Sequence, residues 1–261
     1  MRILLTGHKG FIGSNMLKAL DGHDVRTYEW GDDNDLLDTT DRDVCIHIGA
    51  ISSTTERDVD KVMRQNYDFS CRLLDRCMNT GTHFQYSSSA SIYGFGTEFC
   101  EDSPVDPRTP YAWSKYMFER YALKRQEWGD YNNYRIQGFR YFNVFGSGED
   151  HKGNQASPQT QFTKQAKETG KIKVFHNSDK YHRDFIPVES VIQYHLKFLE
   201  RKDSGVFNIG TGETKSFLDV AEEIADKHNA EIVEIPMPDN LKNSYQEYTC
   251  ADMSKVNGLI A

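Results

Sequence analysis

The sequence predicts an α/β fold: a doubly wound parallel sheet, shortened relative to a full one, with a smaller C-terminal domain. Three observations carry this expectation. Short β-type apolar runs alternate with amphipathic helical stretches through residues 1–100, a glycine-rich loop joins the first run to the first helix, and helical periodicity returns in shorter units beyond residue 157.

Each element has its own signal. RILLTG is the first strand, and the following FIGSNMLKAL places Ile12, Met16, Leu17 and Leu20 on one helical face. DVRTYEW and DVCIHIGA are the next strands, Val62 to Met78 carries a helix pattern, and HFQYSSS closes this part as a strand. A helix is expected over Trp113 to Gln126 and a strand over Tyr134 to Val144. Residues 145–157, rich in Gly, Asn, Ser and charge, mark a domain change. Beyond them the pattern gives a helix at Pro158 to Glu168, a strand at Lys173 to Phe175, a helix at Val188 to Leu199, a strand at Val206 to Ile209 and a helix at Phe217 to Lys227. Pro236-Met237-Pro238 is an extended loop leading to a tail. The expected division is 1–147 plus about 184–212 as the larger domain, and 148–183 with 213–261 as the smaller.

Composition narrows the function classes. The 261 residues suit one large domain or two unequal ones. With 31 Lys and Arg against 39 Asp and Glu, the formal charge of −8 argues against nucleic acid as a partner. No apolar run approaches the ~18 residues of a membrane span. Met1 leads directly into Arg2 and a short apolar run, which leaves no room for a secretion signal, so a cytoplasmic location is expected. The five cysteines show no CxxC or Cys-His clustering, which predicts reduced thiols; Cys71 and Cys77 fall on one helix as core residues. His176 and His182 lack further ligands at fitting spacing, so no metal is expected.

Gly7, Gly10 and Gly13 in TGHKGFIGS stand between an apolar strand and an amphipathic helix. Glycines there let the backbone turn, let a pyrophosphate approach the helix N-terminus, and let helix pack closely on strand, as in a Rossmann-type nucleotide-binding half. Glu29 ends the second strand 22 positions after Gly7, where an acid that binds a ribose diol is expected. A carboxylate there repels a 2′-phosphate and Arg26 points away from it, which favours NAD while leaving NADP possible.

Tyr111 and Lys115 in YAWSK are four apart at a helix start and share a face. An ammonium beside a phenol stabilises the phenolate, so the pair predicts a Tyr111 of lowered pKa acting as general acid and base, with Lys115 also within reach of a cofactor ribose. Ser87, Ser88 and Ser89 end an apolar strand, at the sheet edge where such folds bind ligands, and one of them can hydrogen-bond a reacting hydroxyl. Tyr-x-x-x-Lys and a serine run are each unspecific; the glycine loop makes the set informative.

On TGHKGFIGS, HIGA, SSSASIYG, YAWSK, RYFNVFG, RDFIPV and NIGTGE, spread over nearly the whole chain, the sequence resembles the extended short-chain dehydrogenase/reductase superfamily, in its NAD-dependent epimerase/dehydratase group acting on nucleotide sugars. The resemblance implies Ser89, Tyr111 and Lys115 as the catalytic set, and Phe11, Ile12, Ile48, Gly49, Ala50, Asn66 and Val144 as residues lining the cofactor or holding the strands around it. Within the group, SSTTERD, EDHKGNQAS, KYHRDF and PMPDNLKNSYQEYTCADMS are similar to the ADP-glycero-manno-heptose 6-epimerase branch. That resemblance implies Lys152 as a second acid/base opposite Tyr111, and Asn143, Asn154, Gln161, Phe175, His176, Asn177, Ser178, Arg183 and Tyr245 as contacts to a nucleotide-diphosphate sugar; a guanidinium fork such as Arg183 suits a diphosphate bidentately. A homo-oligomer is expected as well.

The chain also departs from the group. Only 13 residues separate Glu29 from the DVCIHIGA strand, too few for the additional strand and helix the group carries, and the basic residues that the heptose branch sets beside the adenosine ribose would lie in that missing stretch. Asp35 in NDLLD stands where the acid of the group's similar segment contacts adenine, so the resemblance implies that contact here. The sequence ends soon after TCADMS, without the closing helix of the group. Two other readings compete with the heptose 6-epimerase type: another nucleotide-sugar 4-epimerase or 4,6-dehydratase of the superfamily, and a non-catalytic dinucleotide-binding protein. Dehydratases of the superfamily place acids beside the catalytic Ser/Thr, whereas Ala90 and Ser91 follow Ser89; a non-catalytic dinucleotide-binding regulator usually loses a member of Ser89, Tyr111 and Lys115, and all three are retained.

Overall fold

Ile3 and Leu5 of the first strand, β1 (Arg2–Thr6), pack into one apolar cluster and Leu4 into another on the opposite side of the sheet; all three are fully buried. Strand side chains alternate in direction, so an unbroken apolar run marks a strand covered on both faces, as in the middle of a parallel sheet. The structure, a computed structural model, describes residues 1–128, 134–239 and 246–260.

From β1 the chain runs through α1 (Phe11–Ala19), β2 (Asp24–Tyr28), β3 (Val44–His47), α2 (Val59–Val62), a π-helical turn (Met63–Asp68), α3 (Phe69–Thr80), β4 (His83–Ser89), α4 (Pro110–Trp128) and β5 (Ile136–Tyr141). Then follow β6 (Asn143–Phe145), α5 (Pro158–Thr169), β7 (Lys171–Phe175), β8 (His182–Arg183), β9 (Phe185–Pro187), α6 (Val188–Leu199) and β10 (Gly205–Ile209). The last elements are β11 (Lys215–Ser216), α7 (Phe217–His228), β12 (Glu231–Ile235), β13 (Tyr248–Thr249) and α8 (Ser254–Ile260). Six strands form one wholly parallel Rossmann-type sheet in the order β2-β1-β3-β4-β5-β10. On one face α1 and α6 bury Phe11, Met16, Val188 and Ile192 against Ile3, Leu5, Val44 and Ile46; on the other, α3 and α4 bury Phe69, Leu73, Leu74 and Phe118 against Leu4, Cys45, Phe84 and Tyr86. Among the described residues, no helix is long and apolar enough to cross a membrane.

The sheet stops at β2 on one side. The short connection from β2 returns over a single 3-10 turn, Asn34–Leu37, whose Leu37 is buried, and enters β3 with no further strand beyond β2. The order therefore reverses between β1 and β3, which places a crevice at the carboxyl ends of those two strands. A smaller layer, β7 paired with β12 and covered by α5 and α7, has its own core around Phe162, Ile172, Val174, Val220 and Ile224.

Several boundaries differ from the sequence expectation. The strand expected over Tyr134 to Val144 is two strands, β5 and β6, which belong to different sheets. The helix expected over Val62 to Met78 begins earlier and changes to π geometry in its middle. The tail expected after Pro238 carries a short strand, β13, and then a helix, α8. The Asp252 carboxylate at its start accepts from the Ser254 N–H at 2.8 Å, and Val256 is buried in the main core. Its apolar positions are few, which is why periodicity gave no signal.

Gly7 and Gly13 set the distance between β1 and α1. Gly7 has φ +78°, and a Cβ on it would lie 2.4 Å from the Gly49 backbone, while a Cβ on Gly13 would lie 1.9 Å from the Gly7 carbonyl oxygen. Gly13 is helical, where alanine is ordinarily the better residue. Gly13→Ala will nevertheless lower stability by about 1–3 kcal/mol, the usual cost of overpacking, because the opposing atom is backbone; urea unfolding measures it, and a gain in stability would refute the contact.

Candidate active site

β4 ends in three serines, and the structure gives each a different partner. The Lys115 Nζ donates to the Ser87 carbonyl oxygen at 2.8 Å and reaches the Ser87 Oγ at 3.2 Å. The Ser88 hydroxyl donates to the Glu119 carboxylate. Only the Ser89 hydroxyl meets the Tyr111 phenol, and it also accepts the Ser91 N–H at 3.2 Å. Ser87 and Ser88 are buried and Ser89 is partly open, so the side chain left facing the cleft is Ser89.

Tyr111, Lys115 and Glu119 repeat every four residues along α4 and face the sheet together. Arg140, opposite Ser88 in the β4–β5 register, closes on Glu119 at 2.7 Å, with side-chain exposures of 5% and 1%. Arg140 also donates to the Tyr93 phenol at 2.9 Å, and Tyr93 donates to the Asn208 Oδ1 at 2.8 Å. Burial pushes the Lys115 ammonium down to about 8, with Glu119 opposing. The expected lowering of the Tyr111 pKa is corrected. Burial raises it, with the Ser89 hydrogen bond acting the other way, because the Lys115 ammonium is drawn to Ser87 and lies 5.9 Å from the centre of the Tyr111 ring.

The crevice beside this set is lined by four of the residues expected around a dinucleotide, and others lie at or beneath it. Gly10 caps α1 without a side-chain hydrogen bond, and no acid stands in the first turn, so the helix start is open to an anion. Glu29, Gly7, Gly49 and Ala50 line a cavity of ≈ 220 Å³ together with Thr6, Tyr28, Trp30 and Phe69. The Glu29 Oε1 accepts the Lys9 N–H at 2.6 Å, which ties the acid to the glycine loop. Phe11, Ile12, Ile48 and Val144 converge on one apolar cluster beneath the loop. The buried Asn66 is committed to protein: its Oδ1 accepts the Ile51 N–H at 2.8 Å and its Nδ2 donates to the Ile51 carbonyl at 3.0 Å. Asp35 sits exposed on the 3-10 turn and does not line the cavity. The open helix start, the glycine cradle and the acid at the cavity wall fit a dinucleotide with a ribose diol.

Lys152 lies on a 3-10 turn in the 145–157 connection, its Nζ 4.8 Å from the centre of the Phe11 ring and 3.9 Å from Glu149 Oε2. Burial lowers its pKa, against the pull of Glu149. Sequence reasoning missed Glu149, whose buried carboxylate accepts from Gly146 N at 3.0 Å, Ser157 N at 2.7 Å and Ser157 Oγ at 2.8 Å, folding this connection onto itself. Gln161, Phe175 and Ser178 line one cavity of ≈ 310 Å³ with Tyr181, Phe217 and Ile235. Asn154 is exposed nearby, and Gln161 donates to its carbonyl at 3.2 Å. His176 and Asn177 are exposed outside that cavity, His176 against Glu234 at 2.8 Å. Arg183 donates to the His182 and Gln246 carbonyls at 2.8 and 2.5 Å, its guanidinium 5.5 Å from the Phe217 ring centre. Asn143 is exposed at the start of β6, its N–H on the Asp184 carbonyl at 3.0 Å. Tyr245 lies outside the described residues. Glu119 was within reach of sequence reasoning through its four-residue spacing from Lys115; Arg140 and Glu149 had no local signal.

A family model described as the NAD dependent epimerase/dehydratase family matches residues 3–210. Among solved structures, the chain is similar to the Helicobacter pylori ADP-L-glycero-D-manno-heptose-6-epimerase, with TM-score 0.84 and 24% identity over 97% of this chain and 88% of that one. It is similar to the Methanobrevibacter ruminantium UDP-N-acetylglucosamine 4-epimerase, with TM-score 0.87 and 22% identity over 98% and 90%. The Thermotoga maritima UDP-glucose 4-epimerase gives TM-score 0.85 and 24% identity over 99% and 92%. At these identities the likeness shows the shared fold.

Glu29 carries the cofactor prediction. Glu29→Ser will weaken NAD binding and narrow the preference over NADP by about tenfold, since a carboxylate that accepts a ribose hydroxyl also repels a 2′-phosphate. Calorimetric titration of both cofactors reads the ratio; an unchanged ratio would show that the ribose is read elsewhere.

Proposed function

The chain belongs to the NAD dependent epimerase/dehydratase family, and we propose accordingly that it is an epimerase of a nucleotide-diphosphate sugar, working by transient oxidation of one sugar carbon. The observation that carries the reading is the convergence of Ser89, Tyr111 and the buried Lys115, which is tied to Ser87, at the carboxyl edge of the sheet.

In this reading the α1 start and glycine loop hold the cofactor diphosphate, and Glu29 accepts a ribose hydroxyl. When bound, the nicotinamide supplies the hydride acceptor and a positive charge that favours the Tyr111 phenolate. Ser89 hydrogen-bonds the sugar hydroxyl, and the Tyr111 Oη takes its proton as the carbon gives up hydride, which leaves a ketone. Return of the hydride to the opposite face, after the sugar turns over, needs a proton donor on the other side. Lys152 is the proposed donor, because burial has already brought its pKa down.

The finer proposal is an ADP-glycero-manno-heptose 6-epimerase type. The EDHKGNQAS segment supports it, since it folds Lys152 beside Phe11 at the cofactor helix. The Gln161, Phe175 and Ser178 cavity is proposed for the nucleotide half of the substrate, and Arg183, whose guanidinium lies beside the Phe217 ring of that cavity, for the diphosphate. Dehydration has less support: Ala90 and Ser91, which carry no acid, follow Ser89. A cytoplasmic homo-oligomer completes the proposal.

NMR of the protein with NAD and ADP-D-glycero-D-manno-heptose will show the C6 epimer; NAD binding without conversion would replace this substrate by a UDP-, GDP- or dTDP-sugar. Tyr111→Phe will reduce turnover at least about a hundredfold, the lower range for a general acid/base, with NAD affinity nearly unchanged. Unchanged turnover would remove Tyr111 from the chemistry.

A further inference from the structure

A continuous line of buried hydrogen bonds passes beneath the cofactor crevice, and its donors and acceptors can be assigned one after another. In its middle the Ser70 hydroxyl donates its single proton to the Asn66 carbonyl at 2.5 Å. Ser70 Oγ must therefore accept from His47 Nε2, 2.8 Å away, which makes Nε2 the protonated ring nitrogen. His47 Nδ1 is then an acceptor, and the Thr6 hydroxyl donates to it at 2.6 Å. Thr6 Oγ1 in turn accepts the Gly49 N–H at 3.3 Å. From Asn66 the line continues: its carboxamide clasps both backbone groups of Ile51, and its remaining N–H donates to Ser114 Oγ at 3.1 Å. Ser114 donates to the Tyr111 carbonyl at 2.7 Å.

Every proton in this line has one direction, and its two ends are the Gly49–Ile51 floor of the crevice and the first turn of α4. The π-helical turn makes the junction, because it places Asn66 where its side chain reaches Ile51 and Ser114 while its carbonyl receives Ser70. We propose that His47, held as the neutral Nε2–H tautomer, is a positioning residue that couples the cofactor floor to the placement of Tyr111 through Ser70, Asn66 and Ser114. His47 is fully buried, 2% exposed as a residue, and both burial and the nearby Lys115 charge keep it neutral, pushing its pKa down to about 3. A neutral ring is required, since an imidazolium would set a second N–H against Thr6 and reverse that bond.

The consequence for turnover rests on the function proposed above; the tautomer does not. Nitrogen-edited NMR of the protein labelled at histidine, with the His47 signals assigned by their loss in His47→Gln, is expected to show His47 with Nε2 protonated and Nδ1 bare, unchanged between about pH 5 and 8. An Nδ1–H tautomer at His47, or a His47 ring titrating near its usual ~6.5, overturns the assignment. With both hydrogen bonds removed, His47→Phe is expected to raise the Kd for NAD about tenfold, the scale of leaving buried polar partners unsatisfied, and His47→Gln, which can still donate near the Nε2 position, to recover part of it. Ser114→Ala is expected to lower kcat about tenfold with the NAD Kd within about twofold, because it cuts only the arm to Tyr111. If wild type binds NAD and neither variant moves its parameter, the coupling is refuted; if wild type does not bind NAD, it is the function reading that fails.

Discussion

The Glu119–Arg140 ion pair holds the catalytic edge in place. Two charges buried at 2.7 Å are costly to desolvate, and they persist because every guanidinium nitrogen and both carboxylate oxygens have partners. Glu119 receives Ser88 and two edges of the guanidinium, while Arg140 donates onward to Tyr93 and the Glu101 carbonyl. Removing one partner of such a pair typically costs about 3–5 kcal/mol. Mechanically, the pair pins α4 to β4 and β5 one turn past Lys115. Tyr111 and Lys115 inherit their height above the sheet from it, and the three serines are sorted by it: Ser88 is held by the pair, Ser87 by Lys115, and Ser89 remains for the cleft.

A second constraint acts on the cofactor side. Gly7 and Gly13 bring three backbone segments, the end of β1, the start of α1 and Gly49, closer than a side chain at either position allows, so the α1 start stands directly over the crevice. Shortening of the sheet changes the outer wall of that crevice. With no strand beyond β2, Trp30 is 47% exposed and meets the Phe69 ring edge-on at 5.5 Å, so an aromatic pair forms the wall next to Glu29. The connection that carries Lys152 is fixed differently, around the buried Glu149 carboxylate. A single acid gathers backbone and hydroxyl donors from residues 146–160, and the Asn15 side chain ties the same connection to α1 through the Ser147 carbonyl at 2.9 Å. Lys152 is thereby placed by a loop that has no regular strand or long helix of its own.

Much of this was legible in the sequence for physical reasons. Periodicity of two and of 3.6 is a local property, and it located the strands and helices around the Rossmann-type sheet, including Val188–Leu199 to the residue. The glycine loop, the acid at position 29 and the four-residue spacing of Tyr111 and Lys115 are likewise local. The 13-residue stretch after Glu29 is too short for a further strand and helix, and the sheet does end at β2.

Local pattern was therefore enough to specify most of the elements and the residue types that stand at the edge of the sheet. Packing of the layers was needed to settle which serine is left for chemistry, that burial outweighs Ser89 in setting the Tyr111 pKa, and that Asn66 is committed to Ile51 and Ser114. Packing also keeps Asp35 outside the cavity and forms α8 after β13. The reason is common to all of them. A side chain's role here depends on partners far away in the fold's own register, Arg140 for Glu119, His47 for Thr6, Ser157 for Glu149, and on how much water the packed sheet excludes. Neither quantity exists until the layers have closed.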